Sequence, residues 1–252
     1  MTDTTIRRPV QWYSAAQTDV GMVRKVNEDA IFSKPEINLW AVADGMGGHE
    51  AGNVASSMIV DALDQIDARM HLDSFTRVIE DTLHDVNARL LEYSEIMLDG
   101  RIVGSTVAIL LIRGQVGVCM WAGDSRLYRC RDNTLVQLSD DHSHVTELVK
   151  QGSISPEEAH NHPDANVITR AVGTSEHLFV DIDVFDVKAG DTYMLCTDGL
   201  YNAVDDENIA HCLHEEVVDT AVSRLINVSL DNNAADNVSV VVVRGSRNND
   251  DH

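Results

Sequence analysis

Three strand-like apolar runs in this chain carry an aspartate at one end, and that placement restricts what it can fold into more than any other feature. LWAVADG closes on Asp44-Gly45, YMLCTDG closes on Asp198-Gly199, and NVSVVVV begins directly after Asp236. A carboxylate at the end of a buried strand is costly unless a cation or several hydrogen-bond donors compensate it. Asp-Gly is also a common tight-turn dipeptide, but both pairs here lead into polar or helical sequence, not into a two-residue hairpin return. Gly45 opens a Gly-Met-Gly-Gly stretch that is free to bend backbone carbonyls toward an ion. Hard oxygen ligands of this kind suit Mg2+ or Mn2+, and a two-cation site follows if one aspartate bridges. Upstream, RKVNED (24–29) sets Arg24 a few residues before Glu28 and Asp29. A guanidinium is well shaped to grip phosphate bidentately, and adjacent acids can orient metal-bound waters.

The rest of the chain supplies the elements around these aspartates. Val54, Met58, Ala62 and Ile66 recur every fourth residue, and Ile79, Leu83, Val86 and Leu90 repeat at helical spacing, so two amphipathic helices are expected. TVAILLI, QVGVCMWA, RLYRC and TLVQL, separated by turn-like RG, GDS and RDN, predict an antiparallel meander. Residues 139–170 are polar, rich in His and interrupted by Pro156 and Pro163; a connection of that length is expected to be a functional flap with short helices. HLFVDIDVFDV, DTYMLCTDG and NVSVVVV complete the apolar pieces, with a helical pattern from about Asp206 to Leu230 between the last two. Hairpin strands with blocks of helices indicate an α+β fold, antiparallel sheets covered by helices. One domain is expected over 11–245, with a flexible N-terminal arm at 1–10 and a disordered tail at 246–252.

Composition excludes several classes of function. With 19 basic against 41 acidic residues the formal charge is −22, which disfavours nucleic acid and anionic membrane as partners. No apolar run approaches the ~18 residues of a membrane helix and no leader-like segment opens the chain, so a cytoplasmic protein is expected. Cys119, Cys130, Cys196 and Cys212 lie far apart in apolar stretches and read as reduced core residues. None of them precedes an Arg at the spacing of a cysteine-dependent phosphatase. The glycines at 45, 47, 48 and 52 fit neither the P-loop of an ATPase nor the Gly-rich loop after a strand of a nucleotide-binding kinase. His142/His144 and His160/His162 form pairs without a third ligand at zinc spacing.

Eight ordered motifs resemble those of the protein phosphatase 2C (PPM) family, especially its short bacterial-like members: RKVNED (24–29), VADGMGG (42–48), GSTVAILLI (104–112), WAGDSRLYR (121–129), LSDDHS (138–143), NVITRAVG (166–173), LCTDGL (195–200) and DNVSVVVV (236–243). The resemblance implies two packed antiparallel β-sheets flanked by helices, an α-β-β-α sandwich with a metal cleft at one end. It also implies serine/threonine phosphoprotein phosphatase activity, by attack of a water bridging two divalent cations, Mn2+ or Mg2+. On this pattern Asp44 bridges both ions, Gly45 offers its carbonyl, Asp198 and Asp236 complete one ligand set, and Arg24 binds phosphate. Glu28 and Asp29 sit beside the second ion, and Asp124 helps hold a third, weaker one. Phosphorylated proteins are the implied partners, with an opposing Ser/Thr kinase in signalling, and a monomer is expected. Larger relatives carry His after the first Asp-Gly, where this chain has Met46, so the general acid has no assignment; His49, His160 and His162 are the histidines nearest in sequence or in the flap. A phosphatase-like binding module without turnover is the rival, but such a module is expected to lose metal ligands, and every one is present.

Overall fold

Alternate side chains of the central strands face two different apolar neighbours, and this decides the layering of the computed structural model, in which residues 10–48, 51–67, 71–160 and 162–247 are described. The expected arm residues 1–9, the tail residues 248–252 and His49 lie outside the described residues. The chain begins with β1 (Val10–Asp19), β2 (Asp29–Lys34), a 3-10 turn (Pro35–Ile37) and β3 (Leu39–Met46). Helices α1 (Ala51–Asp64) and α2 (Leu72–Met97) precede β4 (Gly104–Ser105), β5 (Val107–Arg113), β6 (Val116–Ala122), β7 (Arg126–Arg131) and β8 (Thr134–Gln137). Short helices α3 (His144–Lys150) and α4 (Pro156–His160) follow, then β9 (Asp181–Asp186), β10 (Thr192–Cys196), α5 (Asp198–Tyr201), α6 (Asp206–Leu213), α7 (Val218–Asp231) and β11 (Val238–Arg247).

The strands form two antiparallel sheets, as the α+β reading expects. One has the order β1-β11-β10-β7-β8; the other runs β2-β3-β5-β6-β9, with β4 paired to β3. On β3, Leu39, Ala41 and Ala43 face α1 and α2, while Trp40 and Val42 join Tyr193, Leu195, Val241 and Val243 between the sheets. On β11, Val238, Val240 and Val242 face α6 and α7. Strands covered on both faces read as unbroken apolar runs, and each large side chain removed from water contributes about 1.5–3 kcal/mol.

Four expectations need correction. The buried face of α1 is Ala55, Ser56, Ile59 and Leu63; Val54, Met58 and Ala62 are only partly buried, because the helix is rotated to set Gly52 and Ala55 against β3. The meander is split: β5 and β6 belong to one sheet, β7 and β8 to the other, and the chain crosses between them at residues 123–125. The helical stretch after Asp206 is two helices, α6 and α7. Finally, β11 runs through Arg247, pairing Ser246 with Gln11 and Arg247 with Val10, so the tail does not begin at 246 and Val10 belongs to β1 and not to the arm.

Candidate active site

The aspartates singled out by sequence come from both sheets and meet at one end of the sandwich. Asp44, at the end of β3, lies opposite Asp29, the first residue of β2. Asp198 opens α5 directly beyond β10, and Asp236 stands just before β11, the strand that pairs with β10. Asp124 occupies the crossing between the sheets. Loss of surrounding water pushes the Asp44 carboxyl well above the usual range, and the charges of Asp29, Asp198, Asp124 and Asp236 push it further. Asp44 and these four neighbours put five carboxylates close together at this end of the sandwich.

Local contacts hold each of them. The Asp44 N–H donates to Thr106 Oγ1 at 3.1 Å, and the Asp44 carbonyl accepts from the Thr106 N–H at 2.9 Å. Thr106 Oγ1 in turn lies 2.7 Å from Ser125 Oγ, beside Asp124. Asp29 Oδ2 accepts from Thr197 Oγ1 at 2.8 Å and Ser239 Oγ at 2.7 Å, so a carboxylate of one sheet is anchored by two hydroxyls of the other. The Gly45 N–H donates to the Glu28 carbonyl at 3.1 Å, and the Glu28 N–H donates to Asn237 Oδ1 at 2.8 Å. Arg24 donates to Asp236 Oδ2 at 2.7 Å, with about half of its side chain exposed.

Among the described residues, three buried carboxylate oxygens have no hydrogen-bond partner: Glu28 Oε1, Asp29 Oδ1 and Asp198 Oδ1. Burial raises the carboxyls of Asp29 and Asp198, the latter helped by the charge of Asp236, and lifts that of Asp124 to about 7. Unpartnered buried acid oxygens are expensive, and Arg24 is the guanidinium that meets this cluster. The donor set is all oxygen, which fits Mg2+ or Mn2+. No group of three or more His, Cys, Asp or Glu side chains among the described residues closes on a single metal position, and Arg24 holds one oxygen of Asp236.

Sequence reasoning missed the supporting residues. Thr106, Ser125, Thr197, Ser239 and Asn237 each lie within three residues of a flagged aspartate or inside a quoted motif, which is the signal that could have found them. His142 is a further one. Its backbone N–H donates to the Gly123 carbonyl, its Nδ1 accepts from the Gly123 N–H at 3.0 Å, and its Nε2 faces Asp181 Oδ2 at 3.2 Å. Nδ1 is therefore the unprotonated nitrogen, and burial lowers the imidazole pKa. Among the other histidines, His162 Nδ1 accepts the Asp164 N–H at 3.1 Å.

A cleft of acids at one end of two helix-covered antiparallel sheets, with an arginine at its lip, defines a class that comparison with known proteins also reaches. The model of the family described as Protein phosphatase 2C matches residues 23–236, and the chain belongs to that family. It is 37% identical over 228 residues to the serine/threonine protein phosphatase PstP of Mycobacterium tuberculosis, covering 90% of this chain but 44% of that protein; the chain thus spans less than half the length of this relative. Among solved structures it resembles PppA, a key regulatory component of T6SS in Pseudomonas aeruginosa, with a TM-score of 0.86 and 42% identity over 94% of this chain and 99% of that one. It also resembles the catalytic domain of PstP in complex with two manganese ions, with a TM-score of 0.85 and 34% identity over 94% and 99% of the two chains.

Proposed function

We propose that this chain is a metal-dependent serine/threonine phosphoprotein phosphatase whose active site is the cluster of Asp29, Asp44, Asp124, Asp198 and Asp236 together with Glu28. The observation that carries the reading is the trio of buried, unpartnered oxygens on Glu28, Asp29 and Asp198, with Arg24 near Glu28 and Asp198. In this reading Asp44, the Gly45 carbonyl, Asp198 and Asp236 hold two divalent cations, Mn2+ or Mg2+, Glu28 and Asp29 stand beside the second, and Asp124 serves a third, weaker one. When bound, such ions lower the pKa of a water shared between them and offset charge building on the phosphoryl oxygens.

The chain's own residues set the stage for that chemistry. Thr197 and Ser239 orient Asp29, Thr106 and Ser125 fix the backbone at Asp44 and Asp124, and Asn237 ties Glu28 to β11. Arg24 presents a half-exposed guanidinium to an incoming phosphate dianion, a binding contact that strengthens as charge accumulates in the transition state. Met46 follows Gly45 and has no proton to give, so the leaving serine or threonine oxygen is not protonated from that position. Phosphorylated proteins are the substrates and a Ser/Thr kinase the opposing activity, with the chain acting as a cytoplasmic monomer. Among the described residues no helix is long and apolar enough to cross a membrane, and the charge of −22 disfavours polyanionic partners.

The test is phosphate release from a phosphothreonine peptide by EDTA-stripped protein, with and without millimolar Mn2+ or Mg2+. Release is expected only with metal, and Asp198→Ala should lower kcat by several orders of magnitude. Metal binding without release would favour the binding-module reading instead.

A further inference from the structure

The loop of residues 20–27, which carries Arg24, is held to the protein by its backbone and shows its apolar side chains to solvent. Asn237 Nδ2 donates to the carbonyls of Val20 at 2.9 Å and Val26 at 3.0 Å, and the Met22 N–H donates to the Ala234 carbonyl at 2.9 Å. Between these ties Met22, Val23 and Val26 are 59%, 67% and 47% exposed. Scattered exposed apolar side chains are ordinary; here three fall within five residues of a pinned loop, on both sides of Arg24. The same stretch has no acid and contains both Arg24 and Lys25, against a formal charge of −22 for the chain.

We propose that Met22, Val23 and Val26 form an apolar lip that receives an apolar side chain flanking the phosphorylated serine or threonine, so that the cleft selects phosphosites by their neighbours. The proposal rests on the phosphatase reading. The residues adjoining the phosphoresidue of an extended peptide lie roughly 3.5–7 Å along the chain from it, so a peptide that crosses the loop beside Arg24 brings one of them to Met22, Val23 or Val26. Because the loop is already anchored, little ordering opposes the contact. An apolar flank placed against these side chains gains burial.

Two phosphothreonine peptides, identical except for leucine or serine on either side of the phosphoresidue, separate the possibilities. Mn2+-loaded protein is expected to favour the leucine peptide about tenfold in kcat/KM, mostly through KM. The triple variant Met22→Ser/Val23→Ser/Val26→Ser should bring that ratio close to one, while Val217→Ser, an equally exposed valine before α7, should preserve it. An equal rate on both peptides by the unmodified protein, or a preference that survives in the triple variant, overturns the lip. p-Nitrophenyl phosphate, which has no flanking residue, reads the underlying assignment separately: no turnover of it or of either peptide would reject the phosphatase itself, and the lip with it.

Discussion

Asp124 shows how one side chain carries information that its place in the sequence only half reveals. The GDSR motif marks it, and the resemblance names it as a metal contact; what the motif does not show is that the residue is 7% exposed at a crossing between sheets, where burial, then the charge of Asp198, lifts its carboxyl to about 7. A raised acid favours the fold while protonated. Its contribution is complete below the unfolded value near 4 and is lost as pH climbs through about 7. In metal-free protein, Asp124→Asn, which is permanently neutral, should therefore melt close to the parent below pH 4 and above it at pH 8. Equal melting temperatures at both pH values would show that Asp124 is not desolvated in solution. The flagged aspartates were legible because acids at strand ends need an explanation. Thr197 and Ser239 were not, because a hydroxyl in a strand is unremarkable until its partner on the opposite sheet is known.

At the scale of elements, the contact that sets the cleft is β3 against the first turn of α1. A Cβ on Gly45 would lie 2.0 Å from the Gly52 carbonyl oxygen, and one on Gly52 would lie 2.7 Å from both the Gly45 backbone and Glu28 Oε1. Alanine normally improves a helix over glycine by about 1 kcal/mol, yet here strand and helix would have to part. Gly52→Ala is expected to destabilise by about 1–3 kcal/mol and to weaken Mn2+ binding, as urea unfolding and calorimetric titration would show; a stabilised variant would refute the close approach. This contact also explains the error over α1. The four-residue rhythm of Val54, Met58 and Ala62 is real, but the helix turns its glycine and small residues toward β3, and hydrophobic spacing alone does not register backbone proximity. α2, whose neighbours impose no such demand, buries the stripe of Ile79, Leu83, Val86 and Leu90 that its sequence announces.

For the whole molecule, the site doubles as a seam, since Asp29 of one sheet is bound by hydroxyls of the other and the acids on both sides repel. Cations that bind the folded cleft should therefore strengthen the entire fold: at a hundredfold excess over Kd the gain is about 2.7 kcal/mol, or roughly 5–10 °C in melting temperature for a chain of this size. Scanning calorimetry with Mn2+ should show that rise in the parent and not in Asp198→Ala; an unchanged melting temperature would remove the metals from the cleft. The two-sheet architecture was legible in the unbroken apolar runs, whereas the division of the meander was not, because GDS reads locally like any other turn and only the second sheet makes it a crossing. The segment between β8 and β9 also joins two strands that each lie at the edge of their sheet. Its ends are fixed, since His142 holds Gly123, Val172 pairs with Ser105 and Leu178 joins the core, but the exposed stretch around α4 can be lengthened, shortened or exchanged for about 0.6 kcal/mol per doubling of its length. The chain thus has a replaceable part that evolution or an engineer can rewrite to recruit new clients while the catalytic frame is inherited unchanged.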